Sequence, residues 1–151
     1  MLVSIVIPCY NSEHTIGEVV ELAIQEFDKL DRYECEFVLV NDYSRDGTWN
    51  SICCLADRYP NVKGINLAKN FGQHNAIMAA MSQAEGDLIV GMDDDMQNHP
   101  SQIPQFLAKI EEGYDIVFGV FKQRKFSVIK NITGAVSRFL LWHLLDRPKD
   151  I

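Results

Sequence analysis

The sequence predicts an α/β fold: a Rossmann-like, three-layer α/β/α sandwich built on a mostly parallel central sheet. Short runs of aliphatic and β-branched residues alternate with longer stretches whose apolar residues recur every three or four positions. Several of the short runs are apolar at consecutive positions, as strands covered on both faces require. Polar, turn-forming clusters follow the runs at residues 8–13, 41–48 and 93–100. Open parallel sheets carry their ligands there, beyond the carboxyl ends of the strands.

Taken in order, residues 2–7 form a first strand, which Pro8 is expected to end. The polar stretch CYNSEHT leads into a helix whose Ile16, Val19, Val20, Ala23, Ile24 and Phe27 share one face. Residues 37–40 form a second strand, closed by NDYSRDGT, and Thr48 is placed to cap a helix carrying Ile52, Leu55 and Ala56. Residues 62–67 give a third strand. Gly72 opens a helix through Ala76, Ile77, Ala80 and Met81, broken by Gly86 before a fourth strand at residues 87–92. Pro100 fits the first turn of the next helix, with Ile103, Phe106, Leu107 and Ile110 on one face. Gly113 then precedes a fifth strand over residues 115–120. Right-handed crossovers connect such units.

With 151 residues, the chain suits one compact domain or a piece of one. Its charge is split: residues 1–121 hold 7 Lys/Arg against 19 Asp/Glu, a net of -12, whereas residues 122–151 hold 7 against 2, a net of +5. The acidic body argues against nucleic acid as a general partner, and the basic tail suits an anionic surface. The four cysteines show no CxxC spacing and read as buried thiols in a reducing compartment, hence a cytoplasmic location. No run approaches 18 apolar residues, and LVSIVIP is too short and strand-like for a signal peptide.

The densest chemistry lies in GMDDDMQNHP. If strand geometry persists into it, Asp93 and Asp95 point to one side and Asp94 to the other. Asp93 and Asp95 then make the metal-facing couple for Mg²⁺ or Mn²⁺ bridged to substrate phosphates. The bland alternative is a solvent-facing turn in which Asp95 or Asn98 caps the Pro100 helix, with His99 a surface or packing residue. Asp42, at a strand end, suits a base N–H or a ribose hydroxyl, while Asp46 and Gly47 read as a turn. Lys69 is placed to neutralise phosphate and Asn70 to fix its loop, against a cap and a solvated lysine; His74 reads as structural. Neither GxGxxG nor GxxxxGK[ST] is present, so dinucleotide and P-loop sites are disfavoured. No zinc or EF-hand spacing and no Ser-His-Asp or Cys-His arrangement stands out.

Five segments carry a family resemblance across residues 3–124: VSIVIPCYNSE, FVLVNDYSRDGT, NLAKNFGQHNAIMAAM, AEGDLIVGMDDDMQNHPSQIP and GYDIVFGVFKQR. The chain resembles family 2 glycosyltransferases of the GT-A fold, in the polyprenyl-phosphate branch with dolichyl-phosphate mannosyltransferases and undecaprenyl-phosphate 4-deoxy-4-formamido-arabinose transferases. By that resemblance Pro8, Tyr10 and Glu13 belong to the first nucleotide-contacting loop, and Asp42 recognises the base. Asp93 and Asp95 form the DxD motif, Asp95 as principal metal ligand, and Gln97 is the glutamine of DxDxQ. Lys69 stands where arginine is usual, Ser12 where an acid is frequent, Asn98-His99 where Asp or Asn precedes Pro, and Phe121 in place of the arginine of GxR.

The resemblance implies a metal-dependent, inverting enzyme that moves a sugar from a nucleoside diphosphate sugar, a UDP-sugar above others, to a polyprenyl phosphate in cell-envelope glycan synthesis. Residues 1–121 are the expected nucleotide-sugar-binding core. Residues 122–151 are the expected start of a basic, amphipathic acceptor or membrane-interface region that continues in family members. Within it, residues 124–145 offer an apolar stripe flanked by Lys125, Lys130 and Arg138, suited to an anionic membrane interface at the cytoplasmic face. The alternatives are a glycan hydroxyl acceptor, a nucleotidyltransferase, and a nucleotide-sugar-binding fragment without turnover. Homo-oligomers are left open.

Overall fold

The computed structural model describes residues 1–119. Within them, residues 1–117 form one compact unit. The basic segment 122–151, with residues 124–145 inside it, lies outside the described residues. Four strands form a parallel sheet in the order β3-β2-β1-β4: β1 (Leu2–Cys9), β2 (Glu34–Asn41), β3 (Val62–Asn66) and β4 (Leu88–Gly91). Helices α1 (Ile16–Phe27), α2 (Thr48–Arg58), α3 (Gln73–Met81) and α4 (Ile103–Glu111) connect or follow them, α4 entered through a 3-10 turn at Pro100–Gln102.

Strand alternation divides the core in two. Val3, Ile5 and Ile7 of β1 and Phe37 and Leu39 of β2 pack with the apolar faces of α1, α2 and α4, burying Ile16, Val19, Ile52, Ile103 and Leu107. On the other face, Val6, Val38 and Val40 meet, as fully buried partners among the described residues, Ala76 and Ala80 of α3. The first layer is thick and the second thin.

Strand β1 runs through Pro8 to Cys9, past the expected stop. The carbonyl of Val6 accepts from Met92 N (3.1 Å) on the β4 side, and that of Cys9 accepts from Asp42 N (2.9 Å) on the β2 side. Pro8 is in phase with Val6 and therefore faces β4. Pairing with β4 has already ended at Val6 and Gly91, so the missing N–H of Pro8 leaves no ladder bond unmade.

The fifth strand expected at residues 115–120 is not formed: residues 115–119 join no ladder, and Val120 lies outside the described residues. Helix α4 packs on the α1 side of the sheet. A right-handed return over that face advances from β4 toward β1, whose two edges are taken by β2 and β4. The β propensity of DIVFG thus finds no free edge by that route.

Two expected caps are also corrected. Gly47, not Thr48, is the N-cap of α2, and Asp46 Oδ1 accepts from both Thr48 N (3.1 Å) and Thr48 Oγ1 (2.5 Å). At the Pro100 turn the capping acceptor is His99 Nδ1, which receives Ser101 N at 3.2 Å, rather than Asp95 or Asn98. The imidazole sits one residue ahead of Pro100, within reach of the free N–H; Asp95 and Asn98 are bonded elsewhere.

Candidate donor site at the sheet switch point

Between β1 and β4 the chain order reverses, because α1 and α2 carry it one way on one face and α3 returns it on the other. The two strand ends diverge there, opening a crevice of about 410 Å³. Pro8, Cys9 and Tyr10 line it from β1, Asp93, Asp94 and Asp95 from β4, Asp42 from β2, and Asn70, Gly72 and Gln73 from the loop leading into α3.

The loops after β1 and β2 are laced together by side chains that bond to backbone. Asn11, at φ 54°, accepts from Arg45 N through Oδ1 (3.0 Å) and donates its own N–H to Ser44 Oγ (3.0 Å). Ser12 N donates to Thr48 Oγ1 (2.8 Å), Glu13 N to Asp46 Oδ2 (3.2 Å), and Gly47 N to Glu13 Oε2 (2.5 Å). Glu13 is thereby spent on the neighbouring loop and does not line the crevice. Tyr10 does: its ring is half exposed at the rim and its N–H donates to Asp94 Oδ2 at 2.9 Å.

Asp42 is 3% exposed, and both its carboxylate oxygens are engaged by backbone amides: Oδ1 by Phe71 N (2.7 Å) and Oδ2 by Gly72 N (2.9 Å). Its carbonyl accepts from Asn70 Nδ2 at 3.1 Å. Each carboxylate oxygen retains lone-pair capacity for a further donor. Lys69 does not line the crevice; its ammonium lies 4.9 Å from the centre of the Phe71 ring, beside the loop that Asp42 holds.

The expected strand geometry does not persist into the acidic triplet: β4 ends at Gly91 and residues 94–98 bend, so the three aspartates part within a loop. Asp93 turns to the α3 side, where Oδ1 accepts from Gln73 Nε2 (3.0 Å) and Oδ2 from Asn98 Nδ2 (2.9 Å). Asp94 turns to the Tyr10 amide. Asp95 is exposed, and its Oδ1 accepts from Gln97 N at 3.0 Å; Gln97 itself lies outside the crevice lining. Below them the Cys9 thiol is buried, and burial, reinforced by Asp94, pushes its pKa well above the usual thiol range. It is a packed floor rather than a nucleophile.

Among the described residues no group of three His, Cys, Asp or Glu is gathered closely enough to cage a metal ion. The donor set instead fits a hard cation that takes one or two carboxylates and completes its shell with phosphate oxygens and water. Asp95, exposed and with Oδ2 unengaged among the described residues, could serve as such a ligand, with Asp93 lining the same crevice.

Pro8, Tyr10, Asp42, Asp93 and Asp95 are thus brought together, whereas Glu13, Lys69 and Gln97 do not line the crevice. Sequence reading passed over Gln73 and Asp94. Asp94 carried a signal only in its place within the acidic triplet; Gln73 carried only its place directly after the glycine that opens α3.

Fold and crevice define a GT-A-like domain, with its acidic loop at the switch point. The chain belongs to glycosyl transferase family 2, which it matches over residues 4–140. It is 43% identical over 129 residues to the undecaprenyl-phosphate 4-deoxy-4-formamido-L-arabinose transferase of Shewanella sediminis, covering 85% of this chain and 39% of that protein. Among solved structures it resembles S. aureus TarS 1-349 in complex with UDP-GlcNAc, at 26% identity and TM-score 0.60, covering 82% of this chain and 39% of that one. It also resembles the mannosyltransferase PcManGT of Pyrobaculum calidifontis in complex with GDP-Man and Mn²⁺, at 27% identity and TM-score 0.55, covering 62% of this chain and 27% of that one. The chain thus spans about two fifths of the length of the curated relative it matches.

Proposed function

We propose that this chain forms the donor-binding part of a glycosyltransferase that moves a sugar from a nucleoside diphosphate sugar, a UDP-sugar, to a polyprenyl phosphate with inversion at the anomeric carbon. The observation that carries the reading is the convergence of Asp93 and Asp95 on one crevice with Asp42 and Tyr10, at the switch point of a parallel sheet. The undecaprenyl-phosphate transferase relative supports the acceptor class, and the neighbour holding UDP-GlcNAc supports the donor class.

In this reading Tyr10 offers a ring face to the base at the rim, and Asp42 uses its remaining lone pairs for a base N–H or ribose hydroxyl. Asp93, held by two neutral amides, presents a fixed negative charge toward ribose and phosphate. Asp95 is the ligand for Mg²⁺ or Mn²⁺, which when bound neutralises the charge that develops on the departing nucleoside diphosphate. Lys69, stacked on Phe71, adds a positive charge beside the crevice. A polyprenyl phosphate arrives as an anionic oxygen nucleophile, so the chemistry calls for no strong general base.

Calorimetric titration with UDP and GDP, each with and without Mn²⁺, tests the reading on the wild type and on Asp95→Ala. The expected result is UDP binding that Mn²⁺ strengthens and that Asp95→Ala weakens about 10-fold or more in the presence of Mn²⁺. Binding indifferent to both metal and substitution would refute the assignment of Asp95.

A further inference from the structure

We propose that residues 70–73 form a strap tying Asp42 at the end of β2 to Asp93 at the end of β4, and that Gln73 is the positioning residue through which the strap aims the Asp93 carboxylate. The proposal deepens, and for its role in catalysis rests on, the donor-site reading above.

β2 and β4 are not neighbours: β1 lies between them, so no ladder hydrogen bond fixes one strand end relative to the other. The strap supplies that link across the carboxyl end of β1. At one end, Asp42 is buried and pins two successive amides, Phe71 N and Gly72 N, while its carbonyl takes the Asn70 side chain. Gly72 has φ +86°, a left-handed conformation that glycine adopts at low cost, and it turns the chain directly into α3. Gln73, the first residue of that helix, is set in place by this turn and donates Nε2 to Asp93 Oδ1 at 3.0 Å.

The other Asp93 oxygen is held by Asn98. Two amides, one on each oxygen, restrain rotation of a short side chain without neutralising its charge, as an ion pair with Lys or Arg would tend to do. A carboxylate so clamped keeps its charge and its direction together. Remote donors of this kind orient acidic groups around cations, and their loss typically costs about 10-fold or more in affinity. A structural role for Gln73 as a plain surface amide predicts none of this coupling.

The test combines a ligand-free and a ligand-bound measurement on the 151-residue chain. In nitrogen-edited NMR spectra, the Gln73 side-chain amide protons are expected to be protected from exchange in the wild type and to lose protection in Asp93→Ala. The Phe71 and Gly72 backbone amides are expected to exchange about 10-fold faster in Asp42→Asn and to stay unchanged in Gln73→Ala, an order of magnitude set by the loss of one charge-assisted hydrogen bond. By calorimetry with UDP and Mn²⁺, Gln73→Ala is expected to weaken binding about 10-fold in the wild-type background and to add no further loss to Asp93→Ala. A Gln73 amide that exchanges freely in the wild type overturns the strap, as do additive effects of Gln73→Ala and Asp93→Ala. If the wild type binds no nucleotide, the donor-site reading fails, and the strap is then decided by the amide signals alone.

Discussion

At the scale of single residues, the site owes its shape to polar groups that turn away from it. Glu13 illustrates this: the resemblance places it among nucleotide contacts, and the fold spends its carboxylate on Gly47 N, 34 positions along the chain. A Cβ built on Gly47 falls 2.5 Å from Glu13 Oε2, so Gly47→Ala must shift that carboxylate, the flexible end of its side chain, and disturb its bond to the residue 47 amide. The expected cost is about 1–3 kcal/mol in urea unfolding. If the clash is the cause, Gly47→Ala combined with Glu13→Ala is no less stable than Glu13→Ala alone. Such pairings explain what the sequence could not disclose. The acids of the crevice announce themselves as DDD after an apolar run, but Glu13 with Gly47 and Gln73 with Asp93 are contacts between ordinary residues 34 and 20 positions apart. Nothing local marks either partner.

At the scale of elements, a second carboxylate does comparable work at the opposite end of the sheet. Glu36 stands in the run ECEFVLV and is 6% exposed. It accepts from Ser4 Oγ (2.6 Å), Glu85 N (2.6 Å) and Lys63 Nζ (3.0 Å), joining β1, β2, β3 and the turn before β4. Burial alone would raise its pKa, yet the hydrogen bonds from Ser4 and Glu85, with Lys63, hold it below the usual glutamate range. A lowered folded-state pKa means that this contribution to stability is complete above the unfolded value of about 4.3 and is lost as pH falls through the folded value. Glu36→Gln is therefore expected to be less stable than the wild type at pH 7 by about 1–3 kcal/mol. The gap between the two urea midpoints should close as pH drops below about 4; a gap independent of pH would deny Glu36 this role. The elements themselves were largely legible, because four apolar runs sit where the four strands form. The fifth run joins no ladder over residues 115–119, because propensity is a property of a segment, whereas pairing is a property of the sheet it must join.

At the scale of the whole molecule, the charge split noted in the sequence separates a body, residues 1–121, of net charge -12 from a tail, residues 122–151, of net charge +5. Among the described residues no helix is long and apolar enough to cross a membrane. We propose, from the sequence alone, that the apolar stripe of residues 124–145 with its flanking Lys125, Lys130 and Arg138 contacts an anionic lipid surface. Replacing Lys125, Lys130 and Arg138 by Glu is expected to reduce co-sedimentation with vesicles rich in anionic lipid several-fold, at about 1 kcal/mol per basic residue near the surface. UDP affinity should stay as it was. Equal sedimentation of the two proteins would remove the membrane from the reading.

The uneven layering of the sheet bears on how the protein comes apart. Among the described residues, α3 is nine residues long and buries fully only Ala76 and Ala80, with Ile65, Leu67, Ala79 and Ala84 partly buried around them, while the opposite layer holds three helices and most of the aliphatic packing. Partial opening should therefore begin at α3, the element with least to lose. Because Gly72 and Gln73 line the crevice at the start of α3, a rarely populated state with this one helix detached would keep its sheet and yet lose one wall of the crevice, and with it the nucleotide site proposed above. Ligand affinity and global fold stability are then separate quantities, and a substitution on the outer surface of α3 can alter the first while sparing the second.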